Sequence, residues 1–469
     1  MGISPYHRRP LTTHAHIRDG IRMLRARLEG ELVLPGDPGW DEARRAWNFA
    51  VDQRPLEVVL VESAGDVVEI VEFARAHGLR IAPQGTGHGA SALHSLERTF
   101  LVKTSRMRGV EIDASAGRAR VEAGALWEDI VEPAAEQGFV VLHGSSPDVG
   151  VVGYTLGGGM GWLARSRGLS ANSVTAVELI TADGRFVRAD HDHEPDLFWA
   201  IRGGGGSFGV VTAIELELYP APDLYAGAMF WPVERAGDVL RAWRDWALTV
   251  PDEVTSVGRI LHFPPLPDIP EPLRGRSFVI VEAVFTGQVS EGATLLEPLR
   301  RLDPIMDTFD SVDPRALQHL HMDPSHPVPG VGDGAFLDEL PAGAIDAVVE
   351  TGVAPLVTLE IRALGGALAT PSARHGAVGS LDAEFVMFAA GFAPTPELVA
   401  AVAEAVDRAR AALAPWESER SYFNFSERTI DSARLYPAAT YRRLRRIKAA
   451  YDPDELFVAN HPITPDGGR

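Results

Sequence analysis

The sequence predicts an α+β fold. Up to residue 219, short apolar runs rich in β-branched residues alternate with stretches of helical spacing. Pro220 and Pro222 then break the pattern, and beyond them strands and helices recur without strict βαβ periodicity. A length of 469 residues fits a prior of roughly 100–200 residues per domain only with several domains.

In chain order, residues 56–61 form a compact apolar run read as a strand. Ser63-Ala64-Gly65-Asp66 has capping-box-like spacing, followed by Val67, Val68, Ile70, Val71 and Ala74 on one helical face. Gly78 stops that helix, and residues 79–82 read as a second buried strand running into Gln84-Gly85-Thr86-Gly87-His88-Gly89. Residues 100–102, 110–112 and 119–122 give further short strands, and 127–136 a helix closed by Gly138. Residues 140–142 lead into a second glycine-rich stretch. Residues 174–180, the turn Ala182-Asp183-Gly184 and residues 186–187 read as a β-hairpin. A helix over 197–201 leads to Gly203-Gly204-Gly205-Gly206 and a strong strand over 210–218.

Past the break, 278–285, 356–361 and 385–388 read as strands, 239–248 and 398–413 as helices, and the Pro-rich segment 264–272 as a loop. That mixture suggests an antiparallel sheet with helices packed on it.

Composition narrows the function classes. With 44 basic against 64 acidic residues, the formal charge is −20, which argues against general affinity for a phosphate backbone and so against nucleic acid as a partner. Cysteine is absent, which removes disulfides, thiolate metal sites, iron–sulfur clusters and any cysteine nucleophile. No segment reaches the ~18 consecutive apolar residues of a membrane span. The N-terminus, with His7-Arg8-Arg9-Pro10 followed by Thr12, Thr13, His14 and His16, has no apolar core of signal-peptide type. The expectation is a cytoplasmic protein without a membrane partner.

Glycine clusters at 85–89, 157–161 and 203–206 call for one explanation. Glycine lets backbone approach a ligand closely and turn successive N–H groups toward an anion. Three such loops, each beside a predicted strand, point to an extended, phosphate-bearing cofactor. The dinucleotide fingerprint G-x-G-x-x-G breaks, because Gly85-Thr86-Gly87 is followed by His88-Gly89-Ala90-Ser91 with no helical pattern. Asp190-His191-Asp192-His193-Glu194 and His319-x-His321 carry metal-capable side chains, but neither has helical spacing with a third ligand, so both read as solvated loops. There is no Walker sequence.

Arg54-Pro55, Pro83-Gln84-Gly85-Thr86-Gly87-His88-Gly89, Pro147-Asp148-Val149-Gly150 and the stretch 156–162 resemble the berberine-bridge-enzyme-like FAD-linked oxidases, of the vanillyl-alcohol-oxidase (PCMH) type. Arg165, Gly168-Leu169, Arg202 with its glycines and Gly209-Val210-Val211 continue the resemblance. Tyr422-Phe423-Asn424-Phe425, Ile447-Lys448, Tyr451-Asp452-Pro453, Leu456-Phe457, Asn460 and His461 complete it, over nearly the whole chain after residue 50.

The resemblance implies a PCMH-type FAD domain of two α/β subdomains over 1–219, a substrate domain over 220–414 with a large antiparallel sheet covered by helices, and a C-terminal segment 415–469 returning to the first. It implies FAD held by a single covalent bond from His88. Ser146 stands where many relatives have a second anchoring cysteine, and a hydroxyl cannot form that thioether. Gly85, Thr86, Gly87, Gly89 and Ala90 would cradle the pyrophosphate. Val149, Gly150, Gly153, Gly157, Gly158 and Val211 would line the rest of the cofactor.

For catalysis, the resemblance makes Tyr422 the leading base, with Asn424 holding the flavin edge or orienting it. A phenol of intrinsic pKa about 10 needs a cation or hydrogen bonds to serve. Glu384 is a second candidate base; Asp382, one strand period away, would face the same side. Met160 stands where sugar-oxidising relatives carry a second tyrosine. Phe230, Trp231, Phe285, Glu360 and Arg362 are candidate pocket residues, with core packing the favoured reading for each of the apolar three. The implied activity is FAD-dependent hydride removal from an alcohol, sugar or secondary metabolite, with dioxygen reduced to hydrogen peroxide. A dehydrogenase with another electron acceptor and a non-catalytic flavin carrier are the alternatives. The oligomeric state stays open.

Overall fold

The computed structural model describes residues 14–467 other than 266 and 268. The N-terminal reading at residues 7–13 and two positions of the Pro-rich loop lie outside the described residues.

Four sheets organise the described residues. The first has the strand order Glu31–Val33, Glu57–Leu60, Thr99–Lys103, Arg80–Gln84, the last three parallel. Ala64–His77 is the crossover helix. Ser63 caps it by accepting from the Asp66 amide at 3.3 Å, and Gly78 closes it with a left-handed backbone, as read from the sequence. Such a cap contributes about 1 kcal/mol. The second sheet is antiparallel throughout, in the order Val110–Asp113, Arg118–Glu122, Val210–Glu217, Val174–Ile180, Phe186–Asp190. Its last pair is the expected hairpin, with Ile180 opposite Phe186. Ahead of the second glycine-rich stretch, Phe139–Val140 pairs with Tyr219–Pro220 as a two-residue ribbon.

The largest sheet is antiparallel, in the order Met306–Asp307, Leu224–Pro232, Ser277–Thr286, Val254–His262, Thr358–Ala363, Phe385–Phe392, Gly330–Leu337. Its two faces differ sharply. Val279, Val281, Ile260, Leu359, Ile361 and Met387 pack against helices Ala236–Ala247, Ala342–Thr351 and Pro396–Leu413, through Trp243, Leu240, Ile345, Val348, Val402 and Val406. Gly258 lets Trp243 approach this sheet: a Cβ there would stand 2.7 Å from the indole. On the opposite face the register aligns Glu282 with Val257, Val257 with Arg362, and Arg259 with Glu360. Because side chains alternate along a strand, these charged residues share one face.

Besides the two-residue Met306–Asp307, three strands of this sheet escaped the sequence reading: Leu224–Pro232, Val254–His262 and Gly330–Leu337. Each contains glycine, and two mix it with charged residues, so none shows the clean apolar run that marks a strand.

The C-terminal segment touches both halves. Ile81 donates to Leu456 O at 2.9 Å and accepts from the Val458 amide at 2.8 Å, extending the first sheet. Lys448, fully buried, places Nζ 2.6 Å from Ser207 O and 2.5 Å from Asp452 Oδ2. Ser418 donates to Phe336 O of the large sheet at 2.9 Å. Among the described residues no helix is long and apolar enough to cross a membrane.

Candidate active site

The loop after strand Arg80–Gln84 leaves its amides free. Among the described hydrogen bonds, the backbone N–H groups of Gly85, Thr86 and Gly87 donate to nothing in the protein. Consecutive unpaired amides are a site for phosphate oxygens. The second loop lies against the first: a Cβ on Gly150 would be 3.5 Å from Thr86 Cγ2, and one on Gly153 would meet nothing within 4 Å. Gly150 also caps helix Val151–Leu156, so these loops fit the diphosphate of FAD.

His88 follows directly. Its Nδ1 lies 2.7 Å from Thr86 Oγ1, and its ring stacks on Trp47 with centroids 4.2 Å apart. Trp47 Nε1 donates to Asp148 Oδ2 at 2.5 Å, and Ser146 Oγ donates to Asp148 Oδ1 at 2.7 Å. Ser146 therefore reaches His88 only through Asp148 and Trp47. Burial pushes the His88 imidazole down to about 4 against the pull of Asp148 and Asp323, so the ring is neutral near pH 7. Trp47 carried no sequence signal, being 101 residues from its partner Asp148.

The third group forms around the C-terminal Tyr422. Asn424 Nδ2 donates to Tyr154 O at 2.9 Å, and its Oδ1 lies only 1.8 Å from where a Cβ on Gly157 would stand, so position 157 admits no side chain. Tyr422 packs beside Gly158 and between Phe336 and Phe425. Its hydroxyl is buried without a hydrogen-bond partner. Burial pushes the phenol up, while Arg362 and the amides of Gly159 and Met160 act to bring it down. Arg362 also lies over the Phe425 ring, 5.1 Å from its centroid. Arg362 lines a narrow cavity with Met160, Trp162, Val257 and Leu368.

Three sequence expectations change here. Glu384 is exposed in the bend ahead of strand Phe385–Phe392 and is not brought to Tyr422; the strand-parity argument linking it to Asp382 therefore does not apply. Asp382 is exposed as well and pairs with Arg420 at 2.5 Å. His321, read as a solvated loop residue, is 2% exposed, whereas His319 is exposed as expected. Its Nδ1 lies 2.5 Å from Glu282 Oε2 and its Nε2 2.6 Å from Glu360 Oε2. Phe230, Trp231 and Phe285 are buried in apolar clusters of the large sheet, the core packing expected of them. The other remaining positions keep quieter surroundings: Gly89 is exposed, Ala90 is buried, Val149 O accepts from the Trp127 amide, and Val211 pairs with Leu179 in the second sheet. His191, Asp192 and His193 are exposed.

Residues 55–190 match the family described as FAD binding domain, and residues 421–464 the one described as berberine and berberine like. The chain is 30% identical over 469 residues to (R)-6-hydroxynicotine oxidase of Paenarthrobacter nicotinovorans, covering 94% of this chain and 98% of that protein. It is 29% identical over 455 residues to an FAD-linked oxidoreductase of Bacillus subtilis, covering 93% and 98%. Among solved structures, 6-hydroxy-D-nicotine oxidase from Arthrobacter nicotinovorans superposes with a TM-score of 0.80 at 24% identity, covering 94% and 98%. The BBE-like 1 protein of Physcomitrella patens superposes at 0.81 and 18% identity, covering 96% and 100%. The chain belongs to the berberine-bridge-enzyme-like, FAD-linked oxidoreductases of PCMH-type fold. It is an FAD-dependent oxidoreductase.

Proposed function

We propose that the chain is an oxidase in which His88 carries FAD by one covalent bond, Tyr422 is the catalytic base and dioxygen is the final electron acceptor. The segments 1–219 and 415–469 hold the cofactor and 220–414 supplies the substrate face. Gly85, Thr86, Gly87, Gly89 and Ala90 cradle the pyrophosphate; Val149, Gly150, Gly153, Gly157, Gly158 and Val211 line the remainder. Bound FAD supplies the hydride acceptor.

The neutral, half-buried imidazole of His88 supports the attachment, since a neutral ring keeps the lone pair a nucleophile needs. Ser146 makes no such bond, and its hydroxyl instead fixes Asp148. Tyr422 removes the proton from the substrate O–H or N–H beside the carbon being oxidised. The observation that carries this role is its buried hydroxyl, left without a partner beside Arg362 and the amides of Gly159 and Met160. Burial holds the phenol above its ordinary range, and the cation and the two amides offset part of that cost as the proton leaves. Asn424, fixed against Gly157 and Tyr154, orients the turn that carries Tyr422. Glu384 has no part in this arrangement.

Acid precipitation tests the attachment: the yellow chromophore stays with the protein pellet and moves to the supernatant in His88→Ala. Flavin released from the wild type rejects the bond. Stopped-flow mixing of the reduced enzyme with oxygen tests the acceptor. Rapid reoxidation is expected, and slow reoxidation reassigns the enzyme as a dehydrogenase.

A further inference from the structure

Five charged side chains meet on the helix-free face of the large sheet, and their charges do not cancel. Arg259 Nη2 lies 2.5 Å from Glu282 Oε1 and donates to His321 O at 2.7 Å. Arg362 Nε donates to Glu360 Oε1 at 2.8 Å. His321 sits between the two carboxylates, one at each ring nitrogen, at 2.5 and 2.6 Å. A neutral imidazole has one N–H to give; two short contacts to ionised carboxylates require both. His321 is therefore an imidazolium. Burial and Arg259 oppose its protonation, and Glu282 with Glu360 overcome them, holding it up at about 9.

The cluster then holds three cations, Arg259, His321 and Arg362, against two carboxylates, Glu282 and Glu360, which leaves one positive charge. Of the five, Arg362 is the most accessible, at 14% of its side chain against 2% or less for the others. Its Nη1 has no partner among the described residues. Asp323 also acts on His321 and Arg362, but from an exposed position where water screens it and Ser145 Oγ donates to it at 2.6 Å, so it offsets the excess only in part. An uncompensated charge at the edge of an apolar cavity walled by Met160, Trp162, Val257 and Leu368 is costly unless an anion arrives.

We propose that the substrate carries a carboxylate, bound by the free edge of the Arg362 guanidinium while Glu360 and His321 hold its other edge. This rests on the placement of the reacting site beside Tyr422, and it names the substrate class that site takes. His321 and Glu360 are positioning residues: they act through Arg362.

The test is calorimetric titration of the holoenzyme with benzoate and with its neutral isostere benzamide. Benzoate binds more tightly by about tenfold or more, as a charge-assisted pair requires. The preference disappears in Arg362→Gln and survives in part in Arg362→Lys. Equal binding of the two probes by the wild type overturns the proposal without recourse to any variant, and so does a benzoate preference that persists in Arg362→Gln. Neither result depends on turnover, so equal binding of the two probes by a wild-type enzyme whose flavin is still reduced by substrate rejects the carboxylate and leaves the oxidase reading in place.

Discussion

Trp47 stacks on His88, their ring planes 22° apart, and anchors its own indole N–H on Asp148. One carboxylate thereby ties the first glycine loop to the second and fixes the plane of the imidazole proposed to carry the flavin. Trp47→Leu keeps apolar bulk but removes both the stacking and the anchor. We expect covalent flavin incorporation to slow by about tenfold, the loss of one ring contact and one hydrogen bond. Acid-precipitated samples taken through a reconstitution time course measure it, and an unchanged rate would show that Trp47 only fills space.

Tyr422→Phe removes a hydroxyl that has no partner, so folding stability should move by less than about 1 kcal/mol. The rate of flavin reduction by substrate should fall by about 10²–10⁴. The folded phenol titrates above its ordinary range, so the wild-type rate should climb with pH across the neutral and mildly alkaline region while the variant stays flat. Anaerobic stopped-flow traces across pH decide it. Matching profiles for the two proteins would move the base elsewhere.

Lys448 and Asp452 form a buried ion pair one helical turn apart, and Asp452 also accepts from the Leu456 and Phe457 amides at 2.8 and 3.1 Å. Asp452→Asn leaves the ammonium uncompensated and should cost about 3–5 kcal/mol in urea unfolding. Because these groups seat the C-terminal segment on Ser207 and strand Arg80–Gln84, proteolytic nicking near residues 456–458 should rise in step.

Glu57 is buried with Oε2 unpartnered, and burial raises its carboxyl to about 8. The unfolded carboxyl titrates near 4.5, so between these values the folded state binds the extra proton. Stability therefore falls as pH rises from about 4.5 through about 8. Glu57→Gln should be more stable than the wild type at pH 8 and equal to it at pH 4. Melting temperatures at the two pH values check the sign.

Local chemistry made several elements legible. The Ser63 cap, the Gly78 stop, the 127–136 helix and the 174–180 hairpin follow from side-chain capping, left-handed glycine and turn residues, all decided within a few positions. The fold class and the FAD chemistry were readable because the glycine loops and the Tyr422-x-Asn424 segment are contiguous in sequence. Glu384 shows the limit: its neighbour Phe385 starts the strand, and a one-residue offset moves a side chain from sheet to bend.

The sequence by itself determined the class of protein, its cofactor and the absence of a cysteine anchor, because each rests on residue types or on short contiguous patterns. Only the tertiary structure decided which charges meet on the helix-free face of the large sheet. Arg259, Glu282, His321, Glu360 and Arg362 come from three strands and a loop, and their pairing depends on the register that sets Arg259 opposite Glu360 and Glu282 in line with Arg362. Along each strand they alternate with apolar residues that the helices cover, so their burial and protonation exist only once the sheet has formed.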